Sequence, residues 1–184
     1  MATSGKHGIA GQKNRAPDEI HFTYVYLYDM ATYSRDQAEA DEEGRFFNCM
    51  NAVVYSAFCV EAYLNHVGPL VLPCWDKEEC GIDKFSPQAK LCLICDRLGL
   101  TVDVSRQPFQ SFRAVFKFRN LIAHAKPGDF LSVQEMSTVK VAKEMVASAE
   151  AMVKAIHLAA GLGKTPFVIR GVSGFRKRLK TGPM

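Results

Sequence analysis

Long apolar runs are missing from this sequence of 184 residues. No stretch reaches the roughly 20 apolar residues that a membrane-spanning helix needs. The first residues lack the apolar segment of a secretory signal peptide. The sequence also lacks an internal repeat, an alternation of strands with helices, and a Gly-x-Ser-x-Gly motif. We therefore expect a cytoplasmic protein with no membrane segment, no parallel sheet and no serine-hydrolase triad.

Acidic residues are absent from both ends of the chain. Residues 1–17 carry three basic and no acidic side chains, and residues 164–184 carry six basic and no acidic ones. The middle therefore has a formal net charge of −5, because the whole chain has +4. The basic cluster in 175–180, "FRKRLK", is either a solvated tail or an arm that contacts RNA, since the adjacent aromatic ring can stack on a base.

Six cysteines occur, and four of them fall within one region of the chain. Cys92 and Cys95 form a Cys-x-x-Cys pair, with Cys74 and Cys80 upstream. The spacing of the four is irregular, and the Cys-x-x-Cys pair lies inside a predicted amphipathic helix. Reduced thiols are therefore favoured over a zinc site, and we expect neither a metal nor a cofactor.

Apolar residues recur every three or four positions through much of the chain, which predicts helices. Ser34 and Gln37 match a capping box, and the pattern continues to residue 67, where Gly68-Pro69 predicts the end. A helix over 34–67 is unusually long, so we expect a break near Gly44. Residues 20–28 are compatible with a strand or with the first turns of a helix.

Three further helices are predicted downstream. Ser86-Pro87 begins one that stops at Gly99, and Pro108 begins another that runs to about Ala125. Ser132 with Glu135 is a capping box for the last, which closes near Gly161. The prediction is an all-α, antiparallel helical bundle of four to five helices with disordered or extended tails. Residues 1–17 form the disordered N-terminal tail, 18–163 the helical domain and 164–184 the basic C-terminal tail.

The helix predicted from Pro108 carries a polar line along an apolar cylinder. Arg113, Lys117, Asn120 and His124 fall within a stripe roughly 60° wide at about 100° per residue. Apolar side chains occupy most of the remaining circumference: Phe109, Phe112, Val115, Phe116, Phe118, Leu121 and Ile122. A helix this apolar needs cover on several sides. We therefore predict a homodimer with Asn120 and His124 close to its twofold axis.

The segment Arg119-Asn120-Leu121-Ile122-Ala123-His124 resembles the Arg-Asn-x-x-x-His motif of HEPN domains. These are small helical bundles found in ribonuclease toxins and in defence-related RNA-processing proteins. The motif lies near the end of a main helix and is followed by Lys-Pro, and "YSAFCVEAYLNHVG", residues 55–68, is similar to the first-helix pattern of that family. The resemblance covers roughly residues 34–161, within the helical domain.

The resemblance implies a metal-independent endoribonuclease with a site at a dimer interface and a toxin or defence role. The ribose 2′-OH attacks the adjacent phosphate and leaves a cyclic phosphate. His124 then corresponds to the general acid or base, Arg119 to the group that stabilises phosphate charge, and Asn120 to the residue that orients the imidazole or the phosphate. Arg113, Lys117 and Lys126 are the candidate RNA-binding residues.

A structural interpretation of the same residues stands beside this one. In this interpretation Arg119 pairs with an acidic residue of the first long helix, such as Glu61. His124 completes a helix C-terminus, where the helix dipole favours a cation. The protein is then a catalytically inactive HEPN-like binding module for a nucleotide, for RNA, or for a protein partner of the antitoxin or nucleotidyltransferase type. The motif alone leaves open whether the protein is an enzyme.

Overall fold

The computed structural model describes residues 22–163 except 76 and 125, together with residues 166 and 167. The described residues form six α-helices and no strand. The helices are α1 (Thr23–Ala40), α2 (Arg45–Val71), α3 (Pro87–Arg97), α4 (Phe109–Ala123), α5 (Phe130–Met136) and α6 (Val139–Ala159). The predicted all-helical bundle is confirmed, with six helices in this part of the chain where four or five were expected. The tail predicted at 1–17 lies outside the described residues, as does 164–184 apart from 166 and 167.

Helix α1 lies antiparallel to both α2 and α6. Near its start, the rings of Tyr24 and Tyr63 meet with centroids 5.1 Å apart. Near its end, Ala38 packs in one apolar cluster with Cys49, and Glu39 forms an ion pair with Lys143 of α6. Since both partners oppose α1, α2 and α6 run in the same direction. Most of the buried apolar side chains of α2 and α6 belong to one continuous core.

The break expected near Gly44 is confirmed. Residues 41–44 separate α1 from α2, and Gly44 has a φ of 71°, which favours glycine. The predicted start at Ser34 is wrong, because α1 begins at Thr23 and Ser34 is buried in its middle. Apolar packing of α1 on its neighbours extends the helix past the capping-box pattern. The described part of 20–28, from Thr23 onward, is helical rather than a strand.

The predicted stop at Gly68-Pro69 is also displaced, because α2 continues to Val71. Pro69 falls in the last turn, where only one backbone hydrogen bond of the helix is lost with its N–H. Gly68 has a packing role, since a Cβ added there would lie 2.3 Å from the ring of Trp75. The buried Trp75 therefore seats the connection after α2 directly on the helix backbone.

The start of α3 is confirmed, with Pro87 in its first turn and the Ala89 N–H donating to Ser86 Oγ at 3.3 Å. Helix α4 begins directly after Pro108 and ends two residues before the predicted Ala125. The capping box predicted at Ser132 is wrong. Ser132 lies inside the short α5, and α6 begins at Val139, where Thr138 Oγ1 accepts from the Val141 N–H.

Candidate functional site

The polar line of α4 faces solvent, as the helical spacing predicts. Arg113, Lys117, Asn120 and His124 are all exposed. The apolar residues around the rest of the helix are buried in the core: Phe109, Phe112, Val115, Phe116 and Phe118. Neither Arg113 nor Lys117 forms an ion pair within the part of the chain that the structure describes. These two cations are therefore available to an anion from solvent.

Arg119 lies to the side of this line, against α2. Its Nη2 donates to Glu61 Oε2 at 3.1 Å, and its Nη1 donates to Asn120 Oδ1 at 3.0 Å. Both partners of the ion pair keep 27% of their side-chain surface exposed. The guanidinium also lies 5.7 Å from the centre of the Phe58 ring. The predicted pairing of Arg119 with Glu61 is confirmed, and it fixes the orientation of the guanidinium.

His124 caps the C-terminus of α4. Its backbone N–H donates to the Asn120 carbonyl at 2.9 Å, and its dihedral angles, φ −130° and ψ 34°, leave the helical range. The imidazole is exposed and has no hydrogen bond to any described residue. The hydrogen bonds of Arg119 go to Glu61 and Asn120, and none among the described residues joins it to the imidazole. One copy of the protein therefore brings Arg119 and Asn120 together but leaves His124 apart.

A cavity of about 330 Å³ opens between α4 and the start of α3. Three cationic residues of α4 line it: Arg113, Lys117 and Arg119. Asn120 also lines it, whereas His124 and Lys126 do not. The cavity thus collects most of the predicted site residues on one side of α4, and the imidazole lies beyond its rim.

Two contributions to this cavity were not predicted from the sequence. The start of α3 supplies Ser86, Pro87 and Gln88, and the largely buried Phe112 and Phe116 supply apolar lining from α4. The helix start at Ser86-Pro87 was visible in the sequence, but nothing there indicated that it faces α4. Lys126, a predicted RNA-binding residue, is exposed in the segment after α4. Its backbone N–H donates to Asp129 Oδ2 at 2.7 Å.

The apolar side chains around α4 do not themselves require a second subunit to cover them. Its aromatic side chains are buried within one chain, and Leu121 and Ile122 are half-buried. Several large apolar side chains elsewhere in the described residues are exposed, among them Phe47 at the start of α2 and Phe130 and Leu131 on α5, which are 61%, 65% and 68% exposed. The Phe46 and Phe130 ring centroids, 6.3 Å apart, join the two helices there. The homodimer stays a prediction.

The cysteines of 74–95 separate into a contacting pair and two thiols in different environments. The thiol of Cys80 hydrogen-bonds to Cys74, which raises the pKa of Cys80. Cys92 is exposed, and burial raises the pKa of Cys95 to about 12. Within the described ranges, no three Cys, His, Asp or Glu side chains are placed to hold a metal. That the protein binds no zinc stays a prediction.

The remaining described histidines belong to the core near α1. His157 is buried, and its Nδ1 is hydrogen-bonded to the Tyr63 hydroxyl at 3.2 Å. His66 packs on Phe22 with ring centroids 4.7 Å apart. Burial lowers the pKa of both imidazoles. Both side chains are therefore occupied in packing, which leaves His124 as the exposed imidazole beside the α4 line; His7 and His21 lie outside the described residues.

None of the helices in the described part of the chain is both long and apolar enough to cross a membrane. Comparisons of the chain with protein-family models, with curated proteins and with solved structures find no match. The geometry of α4 and its surroundings therefore carries the functional proposal.

Proposed function

We propose that this protein binds RNA along the polar line of α4 and cleaves it as a metal-independent endoribonuclease of HEPN type. The observation that carries the proposal is the exposed polar line of α4 beside a cavity lined by three cationic side chains. The line consists of Arg113, Lys117, Asn120 and His124. Unpaired cations on one helix face attract a phosphate backbone, and an imidazole at the end of the line can transfer protons near neutral pH. A cytoplasmic toxin or defence role follows from the motif resemblance.

The proposed chemistry gives acting roles to His124 and Arg119, and Asn120 orients the imidazole or the phosphate. The 2′-hydroxyl oxygen bonds to the adjacent phosphorus, and the bond from phosphorus to the 5′-oxygen breaks, leaving a 2′,3′-cyclic phosphate and a 5′-hydroxyl. His124 serves in proton transfer, from the nucleophile or to the leaving oxygen. Arg119 has donors beyond the two engaged by Glu61 and Asn120, and these can bind the growing negative charge.

A second copy of the chain completes the proposed site. Within one copy, Arg119 is held on α2 while His124 projects from the helix end without a partner among the described residues. In a homodimer, His124 of one copy faces Arg119 of the other across the twofold axis. The exposed apolar surface of Phe47, Phe130 and Leu131 supports such an interface, because contiguous apolar patches of this kind mark association sites.

One observation favours a second candidate, a binding module without catalysis. The ion pair with Glu61 gives Arg119 a structural task that requires no chemistry. In that case the same face holds RNA, a nucleotide, or a protein partner of the antitoxin or nucleotidyltransferase type. Both candidates share binding at α4 and differ in whether a phosphodiester is broken.

Cleavage assays on single-stranded and structured RNA separate the two candidates. We expect the wild type to cut RNA and spare DNA, which lacks the 2′-OH, with excess chelator leaving the rate unchanged. His124→Ala should lower the rate by about 10²–10⁴-fold, and Arg119→Ala by a comparable factor. Arg119→Lys should recover little, because a point charge cannot replace the bidentate guanidinium.

Circular dichroism and light scattering of each variant provide the control for folding and assembly. Wild-type protein that leaves every RNA intact, or cleavage that survives both alanine substitutions, would replace the enzyme proposal with the binding module.

A further inference from the structure

The cavity beside α4 has the charge of an anion site. Among its described lining residues, three are cationic and none is acidic. Glu61 neutralises Arg119 from the α2 side, whereas Arg113 and Lys117 have no counter-ion among the described residues. Two exposed and unpaired cations one helical turn apart suit a phosphate group, which accepts from several donors at once.

The cavity also contains groups of the kind that surround a nucleobase. Pro87, Phe112 and Phe116 contribute apolar lining, although both phenylalanines are largely buried, and Gln88 and Asn120 contribute amide groups. Asn120 Oδ1 accepts from Arg119, and its amide hydrogens have no acceptor among the described residues. An apolar wall with a few amide groups is the environment in which proteins hold the edge and face of an unpaired base.

The size of the cavity limits what can enter. About 330 Å³ is at the lower end of ligand pockets and has room for one nucleotide rather than for a helix of RNA. A base in a duplex is stacked and paired on both sides, so it must leave the stack to enter such a cavity. The cavity therefore selects for nucleotides that are already unpaired.

From these three observations we propose that the cavity captures a single unpaired nucleotide, with its phosphate on Arg113 and Lys117 and its base beside Pro87 and Gln88. This inference rests on the proposed function, because it takes the captured nucleotide to be part of an RNA strand. Arg113 lies 11 residues before His124, roughly 16 Å along the helix, so the captured nucleotide is not the one cut. It holds the strand at a fixed distance from the imidazole.

Binding measurements with the His124→Ala protein test the proposal without relying on cleavage. Fluorescence anisotropy compares a labelled single-stranded RNA with the same sequence in a blunt duplex. We expect the single strand to bind at least about tenfold more tightly, as base stacking on a protein wall allows. Uridine or adenosine 5′-monophosphate should compete with the strand more strongly than inorganic phosphate does, which separates a nucleotide site from a simple anion site.

Two sets of variants assign the effect to the cavity. Gln88→Trp fills the opening from α3 and should remove most of the single-strand preference, whereas Gln110→Trp, an exposed position of α4 outside the cavity, should retain it. Arg113→Ala and Lys117→Ala should each reduce the salt dependence of binding by about one unit. Lys140→Ala, an exposed lysine of α6, is the charge-matched control and should leave that dependence unchanged.

The outcomes distinguish this inference from the proposed function. Equal affinity for single strand and duplex in His124→Ala protein, or an equal loss with Gln88→Trp and Gln110→Trp, overturns the cavity assignment even if the wild type cuts RNA. Mononucleotide competition and the loss specific to Gln88→Trp would support it even if no RNA is cleaved. If Gln88→Trp fails to fold, Lys117→Glu takes its place, with Lys140→Glu as the control.

Discussion

The ion pair between Glu61 and Arg119 provides the sharpest test of whether the motif arginine serves structure or function. In Glu61→Gln the side chain keeps its size and an oxygen acceptor but loses its charge. The pair is 3.1 Å long and partly exposed, so the stabilisation at stake is about 1 kcal/mol. We expect the melting temperature to fall by about 2–4 °C for a chain of this size.

RNA binding should change in the opposite direction. A phosphate held by Arg119 lies roughly 7 Å from the Glu61 carboxylate, given one charge-assisted contact on each side of the guanidinium. The repulsion between the two is about 0.6 kcal/mol at the dielectric constant of water and about 2.4 kcal/mol at an effective value of 20. Glu61→Gln should therefore raise RNA affinity by roughly threefold to fiftyfold at low salt, and by less as salt increases.

Thermal unfolding and fluorescence anisotropy with a single-stranded RNA measure the two effects. Glu39→Gln is the matched control, because Glu39 also forms an ion pair between helices, with Lys143, away from α4. It should lower stability slightly and leave RNA affinity unchanged. If Glu61→Gln lowers stability without raising affinity, Arg119 is a structural bridge between α4 and α2, and its assignment to phosphate fails.

Three further predictions follow from packing, titration and charge. Gly68→Ala should destabilise the protein by about 1–3 kcal/mol and shift the fluorescence of Trp75, because the new Cβ meets the indole ring; a neutral effect would contradict this packing. Burial lowers the pKa of His66 and His157 below the ordinary imidazole value of 6.5, so the unfolded chain binds more protons than the folded protein as the pH falls through that value. The urea midpoint should therefore decrease as the pH is lowered from 7 to 5, and asparagine at both positions should flatten that dependence. An unchanged pH profile in the double variant would refute it. Removing 168–184 deletes five basic residues and should weaken RNA binding and reduce the salt slope by up to about 0.7 per charge; an equal slope would assign those residues to solvation.

The sequence alone determined the helical character of the chain and the polar line of α4. Spacing by threes and fours reflects one helix at a time, so the exposed side of α4 was readable from about 100° per residue. Pro87 and Gly44 marked real boundaries for local reasons, since proline fixes its own φ and glycine readily adopts the positive φ of 71° found at Gly44. The pairing of Arg119 with Glu61 was also anticipated, because the two residues carry opposite charges on two predicted helices.

Only the tertiary structure decided where capping patterns operate and where the cavity lies. Ser34 and Ser132 have the residues of a capping box, yet both lie within helices, because side-chain packing across helices outweighs the roughly 1 kcal/mol of a cap. The cavity joins Gln88 of α3 to Lys117 of α4, two segments far apart in the chain. Which faces of two helices oppose one another depends on how the whole core packs, and no local pattern encodes it.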